Sequence, residues 1–190
     1  MNETLKIICA ESSGVPILLC PAEFASQWEG THEPSDGRII KAVFHLNGPE
    51  GTHVDYDRAC DAAGEYVNVI KIGAGRALIF GDEIPAMYWV DSQTFNGGYA
   101  LTWLFLPEED EPDYKELIQT LSDSFFTDTG HSITCYNNGF WLFPSTQSPQ
   151  DVHFFQSVEV RCPAGTYNAA IGFYRKPDIN LRIIKIQRQD

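Results

Sequence analysis

Basic side chains are scarce in this chain: 13 Lys and Arg stand against 26 Asp and Glu in 190 residues, a formal net charge of −13. Neutralising phosphates needs clustered Lys and Arg, so the imbalance excludes direct nucleic-acid binding from the expected functions. Long apolar runs are missing as well. No segment approaches the roughly 18–20 apolar residues of a membrane span. The N-terminus offers only Lys6 before an apolar stretch broken by Glu11, Ser12, Ser13 and Gly14, which makes a poor signal peptide. Cysteine is sparse and odd in number. Cys9, Cys20, Cys60, Cys135 and Cys162 lie in apolar or strand-like surroundings with no C-x-x-C pair, a pattern that reads as reduced thiols. These absences together predict a cytoplasmic chain with no membrane partner.

Catalytic frames are also missing. Gly73-Ala74-Gly75 follows an apolar strand, but a dinucleotide fingerprint needs a third glycine and a following helix, whereas Arg76-Ala77-Leu78-Ile79-Phe80 is another strand. A hairpin turn is the better account. His53, Asp55 and Asp57 alternate in the manner of a ligand set, yet no second group of suitable spacing accompanies them, and Asp55 as the cap of a short helix explains the position more simply. No serine sits in a G-x-S-x-G frame, and a Cys/His pair would have to be created by the fold. With 26 acids some close carboxylate pairs are unavoidable, so such pairs carry no information. The expectation is a protein that is not an enzyme and holds no cofactor or metal.

What is present is a core. Apolar residues make up 43% of the chain, with 12 Phe, 8 Tyr and 4 Trp, enough to rule against disorder and to fill one domain. Short runs of Ile, Val, Leu and aromatics separated by Gly and Pro predict antiparallel strands over 4–10, 15–20, 39–46, 67–72, 76–80, 99–105, 132–136, 140–143, 157–162, 167–174 and 180–187. Helices are the minority. The clearest follows Pro112, gathers Tyr114, Leu117, Ile118, Leu121 and Phe125 on one face, carries Glu111, Asp113 and Glu116 near its start, and is closed by Gly130. A shorter one starts at Pro21, sets Phe24 and Trp28 four apart with Trp28 in the core, and stops at Gly30; a third covers 55–63. The fold class expected is α+β, with strand-rich antiparallel sheets and a few short helices.

Two related halves are expected, 1–106 and 131–190, joined by an acidic linker and helix over 107–130, all within reach of one compact domain. The suggestion comes from laying 69–75 over 159–165, an offset of 90, where both read as strand, tight turn, strand; 14–19 and 139–143 are comparable upstream. Charge is uneven along the chain. Residues 1–159 hold 24 acids and 7 bases, while 160–190 hold 2 acids and 6 bases, and the basic tail reads as a strand over 180–188 with alternating exposed charges.

The densest acidity is Glu108-Glu109-Asp110-Glu111 followed by Asp113 and Glu116, opposed only by Lys115. Alone, such a run reads as a solvated linker and a well-charged helix start. Beside a basic partner it would raise the encounter rate from about 10⁵–10⁶ toward about 10⁹ M⁻¹s⁻¹ at low salt. A wider pattern then bears on the choice: Glu11-Ser12-Ser13-Gly14-Val15-Pro16-Ile17-Leu18-Leu19, Trp28-Glu29-Gly30, Asp55-Tyr56-Asp57-Arg58-Ala59-Cys60, Gly73-Ala74-Gly75-Arg76-Ala77-Leu78-Ile79 and Gly81-Asp82-Glu83, in that order and spacing. This resembles the immunity protein 21 family of bacterial polymorphic toxin systems over about residues 10–105, with looser agreement beyond and a departure from the compact spacing at 31–52.

The resemblance implies a cytosolic antidote that binds a cognate, basic toxin domain and blocks its active site or an adjacent surface, with no catalytic residues of its own. On that reading Glu108, Glu109, Asp110, Glu111, Asp113 and Glu116 are candidates for steering and rim contacts, and Tyr88, Trp89 and Phe95, near the glycine-bearing loop 91–98, are candidate anchors. The alternative is a small-ligand-binding or regulatory module with a pocket between the two halves.

Overall fold

The computed structural model describes residues 7–12, 14–31, 55–63, 66–81, 84–105, 113–137, 139–147 and 157–189, with Ile7 and Phe105 described by backbone alone. In chain order the elements are β1 (Ile7–Glu11), β2 (Ile17–Pro21), α1 (Ala22–Ala25), α2 (Asp55–Ala62), β3 (Val67–Ile72), β4 (Gly75–Phe80), β5 (Ala86–Asp91), β6 (Gly97–Phe105), α3 (Tyr114–Gln119), a 3-10 turn (Asp123–Phe125), β7 (Thr127–Cys135), β8 (Phe140–Pro144), β9 (Val158–Val160), β10 (Gly165–Lys176) and β11 (Ile179–Arg188). The fold is the expected strand-rich α+β arrangement.

Two antiparallel sheets form. The first has the order β1-β5-β6-β11-β10-β7 and the second β3-β4-β2-β8-β9. Alternation along each strand sorts the core into three layers. Ile17 and Leu19 of β2, Leu78 and Phe80 of β4, Met87 and Trp89 of β5 and Ile184 and Ile186 of β11 point between the sheets. Leu18, Cys20, Ala77 and Ile79 point to the other side of the second sheet, where Ala25 of α1, Trp28 just after it and Ala59 of α2 cover them. Val90, Leu101, Leu181 and Ile183 point to the outer side of the first sheet, under Tyr114, Leu117 and Ile118 of α3. Covering both faces explains why β2 reads as a continuous apolar run, without the polar alternation of a half-wet strand.

The turn at residues 73–74 is a two-residue hairpin, with Ile72 paired to Gly75 and Gly73 at φ +54°. That left-handed position favours glycine, and the expected hairpin stands. The other half of the proposed repeat does not. β9 pairs with β8 in the second sheet, whereas β10 pairs with β7 and β11 in the first, so the link from Val160 to Gly165 crosses between sheets and closes no hairpin. Both sheets also draw strands from both expected halves, and the boundary at 131 falls inside β7.

The helix expected to run to Gly130 ends at Gln119. Thr120 terminates it: its hydroxyl donates to the Leu117 carbonyl at 2.7 Å, taking an acceptor near the helix end. Leu121 and Phe125 still join the outer cluster, but from the 3-10 segment and its approach. Gly130 lies within β7 at φ +72°, where the pairing with β10 jumps from His131 to Asp128 across a bulge. β5 was not anticipated as a strand, and the strand expected over 39–46 lies outside the described residues.

β11 carries the basic tail, and its charges are not displayed as expected. Arg182 is fully buried and Lys185 nearly so, because β11 is a central strand flanked by β6 and β10 with both faces covered.

Candidate functional site

The expected partner residues on and around α3 fall on the outer side of the first sheet. Asp113 caps the helix, its Oδ1 accepting the backbone N–H of Lys115 at 2.9 Å and of Glu116 at 3.2 Å. Asp113 and Glu116 are exposed, whereas Tyr114, Leu117 and Ile118 on the opposite side of the helix are buried. The helix is therefore an acidic ridge seated on aromatic packing. Tyr88 meets Tyr114 at 5.1 Å between ring centroids, and Phe95 meets Tyr99 edge-on at 5.5 Å.

A groove flanks the ridge on each side. One, of about 190 Å³, lies between α3 and the β5–β6 loop and is lined by Val90, Ser92, Thr94, Tyr99, Lys115 and Ile118 among others. The second, of about 250 Å³, is bounded by Glu116, Leu117, Thr120, Tyr174, Lys176 and Ile179. Glu108, Glu109, Asp110 and Glu111 lie outside the described residues.

Trp89 does not join this face. Neighbouring residues on a strand point to opposite sides, so with Tyr88 outward Trp89 points between the sheets, where it is 0% exposed. A side chain with no surface has nothing to offer a partner directly. Trp89 acts on the surface through one atom: its indole N–H donates to Oδ1 of exposed Asp91 at 2.7 Å.

Sequence reasoning missed Lys185, which lies against the aromatic layer of the same sheet face. Its ammonium sits 4.8 Å from the Phe95 ring centre and 5.9 Å from that of Phe126, and donates to Oδ1 of Asp123 at 2.7 Å. Asp123 is almost wholly exposed and Lys185 almost wholly covered. The ammonium holds the Asp123 carboxyl below the ordinary range, first through the hydrogen bond and then through charge. Burial, with a smaller contribution from Asp123, raises the Tyr99 hydroxyl. The available signal was Lys185 between Ile184 and Ile186, a cation inside an apolar run.

A separate cleft of about 470 Å³ opens where the sandwich ends, lined by Ile8, Asp91, Ser157, Val158, Glu159, Val160 and Arg161. Val158 and Val160 of β9 pack toward the intersheet core and Ile8 of β1 against it, giving the cleft an apolar floor beneath a charged rim.

None of the five cysteines forms a disulfide. Burial pushes Cys162 up to about 12, and raises Cys20, Cys60 and Cys135 as well, so these sulfurs stay protonated near neutral pH and are poor nucleophiles. Asp55 spends its carboxylate on the Glu29 backbone N–H at 2.9 Å and on the Arg58 guanidinium, tying α2 to the segment after α1 where a cap of its own helix was expected. Among the described residues no three His, Cys, Asp or Glu side chains gather as a metal would require. None of the described helices is long and apolar enough to cross a membrane.

No family model, curated protein or solved structure matches the chain.

Proposed function

We propose that this chain is an immunity protein that binds a cognate, basic toxin domain of a bacterial polymorphic toxin system and covers its active site or an adjacent surface. The observation that carries the reading is the α3 ridge: exposed Asp113 and Glu116 stand on a helix whose other side is locked into aromatic packing, with a groove along either flank. A chain of net charge −13 attracts a basic partner over distance. The ridge then gives the encounter a rigid place to settle, and the sequence resemblance described above supplies the biological class.

Exposed carboxylates contribute only about 0–1 kcal/mol each to a complex, so their part is steering. The test is co-expression with the toxin encoded beside this gene, followed by isolation of the complex. Rescue of growth and a stable complex are expected; a neighbouring toxin domain that neither binds nor is neutralised removes the reading. A second reading, a small-ligand module, draws on the cleft of about 470 Å³, which lies between β1 of the first half and β9 of the second. Its size falls within the roughly 300–1,000 Å³ usual for such pockets.

A further inference from the structure

We infer that the cleft between β9 and the end of β5 receives an arginine side chain of the toxin, with Asp91 as its anchoring carboxylate; this rests on the immunity reading. The α3 ridge is a steering surface of exposed charge. The cleft is different in kind, because its carboxylate is fixed from inside the fold.

Asp91 is exposed, yet Oδ1 is held at 2.7 Å by the indole N–H of Trp89, and Trp89 is 0% exposed in the intersheet core. A short side chain on a strand end, hydrogen-bonded to an immovable donor, loses little further freedom when it binds. Among the described residues no cation pairs with Asp91, so Oδ2 remains for an incoming donor. Across the cleft Glu159 supplies the second carboxylate. Its ion pair with Arg161 is 3.6 Å long, and the Arg161 side chain is 85% exposed. That is well beyond the roughly 2.7–2.9 Å of a charge-assisted hydrogen bond, so an entering guanidinium competes with a weak contact.

The floor of Ile8, Val158 and Val160 completes the match. An arginine presents an apolar stem and a planar cationic head, and a cleft with an apolar base and two carboxylates on its rim complements both parts. A lysine would satisfy the charge but would lack the planar guanidinium, whose separate donors can be directed toward two carboxylates at once.

The experiment measures binding of the neighbouring toxin domain to the wild-type chain, to D91N and to E159Q, and follows the Trp89 indole N–H resonance by NMR. Asn at 91 keeps an acceptor for the indole and loses the charge, so its melting temperature checks that the fold survives. The expected result is a loss of affinity of at least about tenfold for D91N, a smaller loss for E159Q, and a shifted Trp89 resonance in the wild-type complex. Wild-type binding with D91N unchanged, or an unmoved Trp89 resonance at saturation, overturns the cleft assignment and leaves the immunity reading standing. If the wild type does not bind the toxin at all, the immunity reading fails and this inference with it. A further arm titrates N-acetylarginine amide alone: if it saturates the Trp89 shift and the toxin does not displace it, the cleft is a small-cation site and the toxin arginine is rejected.

Discussion

Replacing Arg182 with Met tests whether a buried cation in this fold stabilises it or is merely tolerated. Arg182 is 0% exposed, its Nη2 donates to the Gly81 carbonyl at 2.8 Å, and its guanidinium lies 5.2 Å from the centre of the Tyr66 ring. Met keeps much of the stem and removes the contacts with Gly81 and Tyr66. The charged hydrogen bond is worth about 1.5–3 kcal/mol, and the stacking on Tyr66 adds about 0.5–2 kcal/mol. Against this, a buried cation carries a desolvation cost of several kcal/mol that Met does not, which is why apolar replacements of buried charges are often neutral.

The Gly81 carbonyl decides the sign, because Met leaves it facing the cavity without its donor, at a cost of about 1–3 kcal/mol. The expected net loss for R182M is therefore about 1–3 kcal/mol, and R182A should lose about 2 kcal/mol more through the cavity it opens. For a chain of this size each kcal/mol lowers Tm by about 2–4 °C. Urea unfolding should show the midpoint falling with an unchanged slope. An R182M protein as stable as its parent would refute the reasoning and mark the guanidinium as a tolerated charge.

Four further outcomes are expected. Because Lys185 depresses the Asp123 carboxyl, the stability this pair contributes is present above the unfolded Asp value near 3.9 and is lost as pH falls through the lower folded value; D123N should flatten that acid limb in pH-dependent melts. The buried thiols run the other way. With Cys162 raised from 9.0 to about 12, its contribution is complete below pH 9 and is lost as pH rises toward 12, and Cys20 and Cys162 should resist Ellman's reagent at pH 8 until urea unfolds the chain. G97A should cost about 2–4 kcal/mol in chemical denaturation, since Gly97 has φ +130° and a Cβ there would lie 2.0 Å from the Ile186 carbonyl oxygen on β11. On the proposed immunity function, the double variant D113N/E116Q, in which Asn still caps α3, should slow association with the toxin domain and flatten its salt dependence in stopped-flow measurements while Tm holds.

Most strands were legible because burial on two faces leaves continuous apolar runs, as in Ile17-Leu18-Leu19-Cys20 and Leu181 to Ile186. β5 escaped because Pro85 precedes it and Ala86 and Asp91 bound only four strongly apolar positions. Without β5, Trp89 reads as a surface anchor beside the 91–98 loop. Once Met87-Tyr88-Trp89-Val90 is known to be a strand, Tyr88 and Trp89 cannot share a face, and only one of them can be a surface anchor. The end of α3 is hidden in the sequence for a related reason. Leu121 and Phe125 keep the helical spacing after the helix has stopped, because the 3-10 turn continues over the same aromatic layer. Arg182 and Lys185 were read as exposed because periodicity says which side a residue faces, and only the sheet order says that both sides are covered.

Sheet order also bears on the suspicion of two halves. Read inward from its two edges, the first sheet runs β1-β5-β6 and β7-β10-β11, and the two series meet where β6 pairs with β11. In the second sheet β2 and β8 meet in the same way, antiparallel about Leu19 and Leu142. Their sequences, Ile17-Leu18-Leu19-Cys20-Pro21 and Phe140-Trp141-Leu142-Phe143-Pro144, align at an offset of 123, not 90. The offset of 90 compared a hairpin with a crossover, two connections that share glycine and proline but not pairing. The physical consequence is shared dependence: β6 and β2 each have one partner strand in the second half, so neither half keeps its central hydrogen-bond ladder without the other. The cleft of Asp91 and Glu159 lies away from those pairings, between the β1 edge of the first sheet with its neighbour β5 and the β9 edge of the second, one strand group from each half. A side chain entering there would touch both halves at once, so its binding would favour the joined state over any partly opened one.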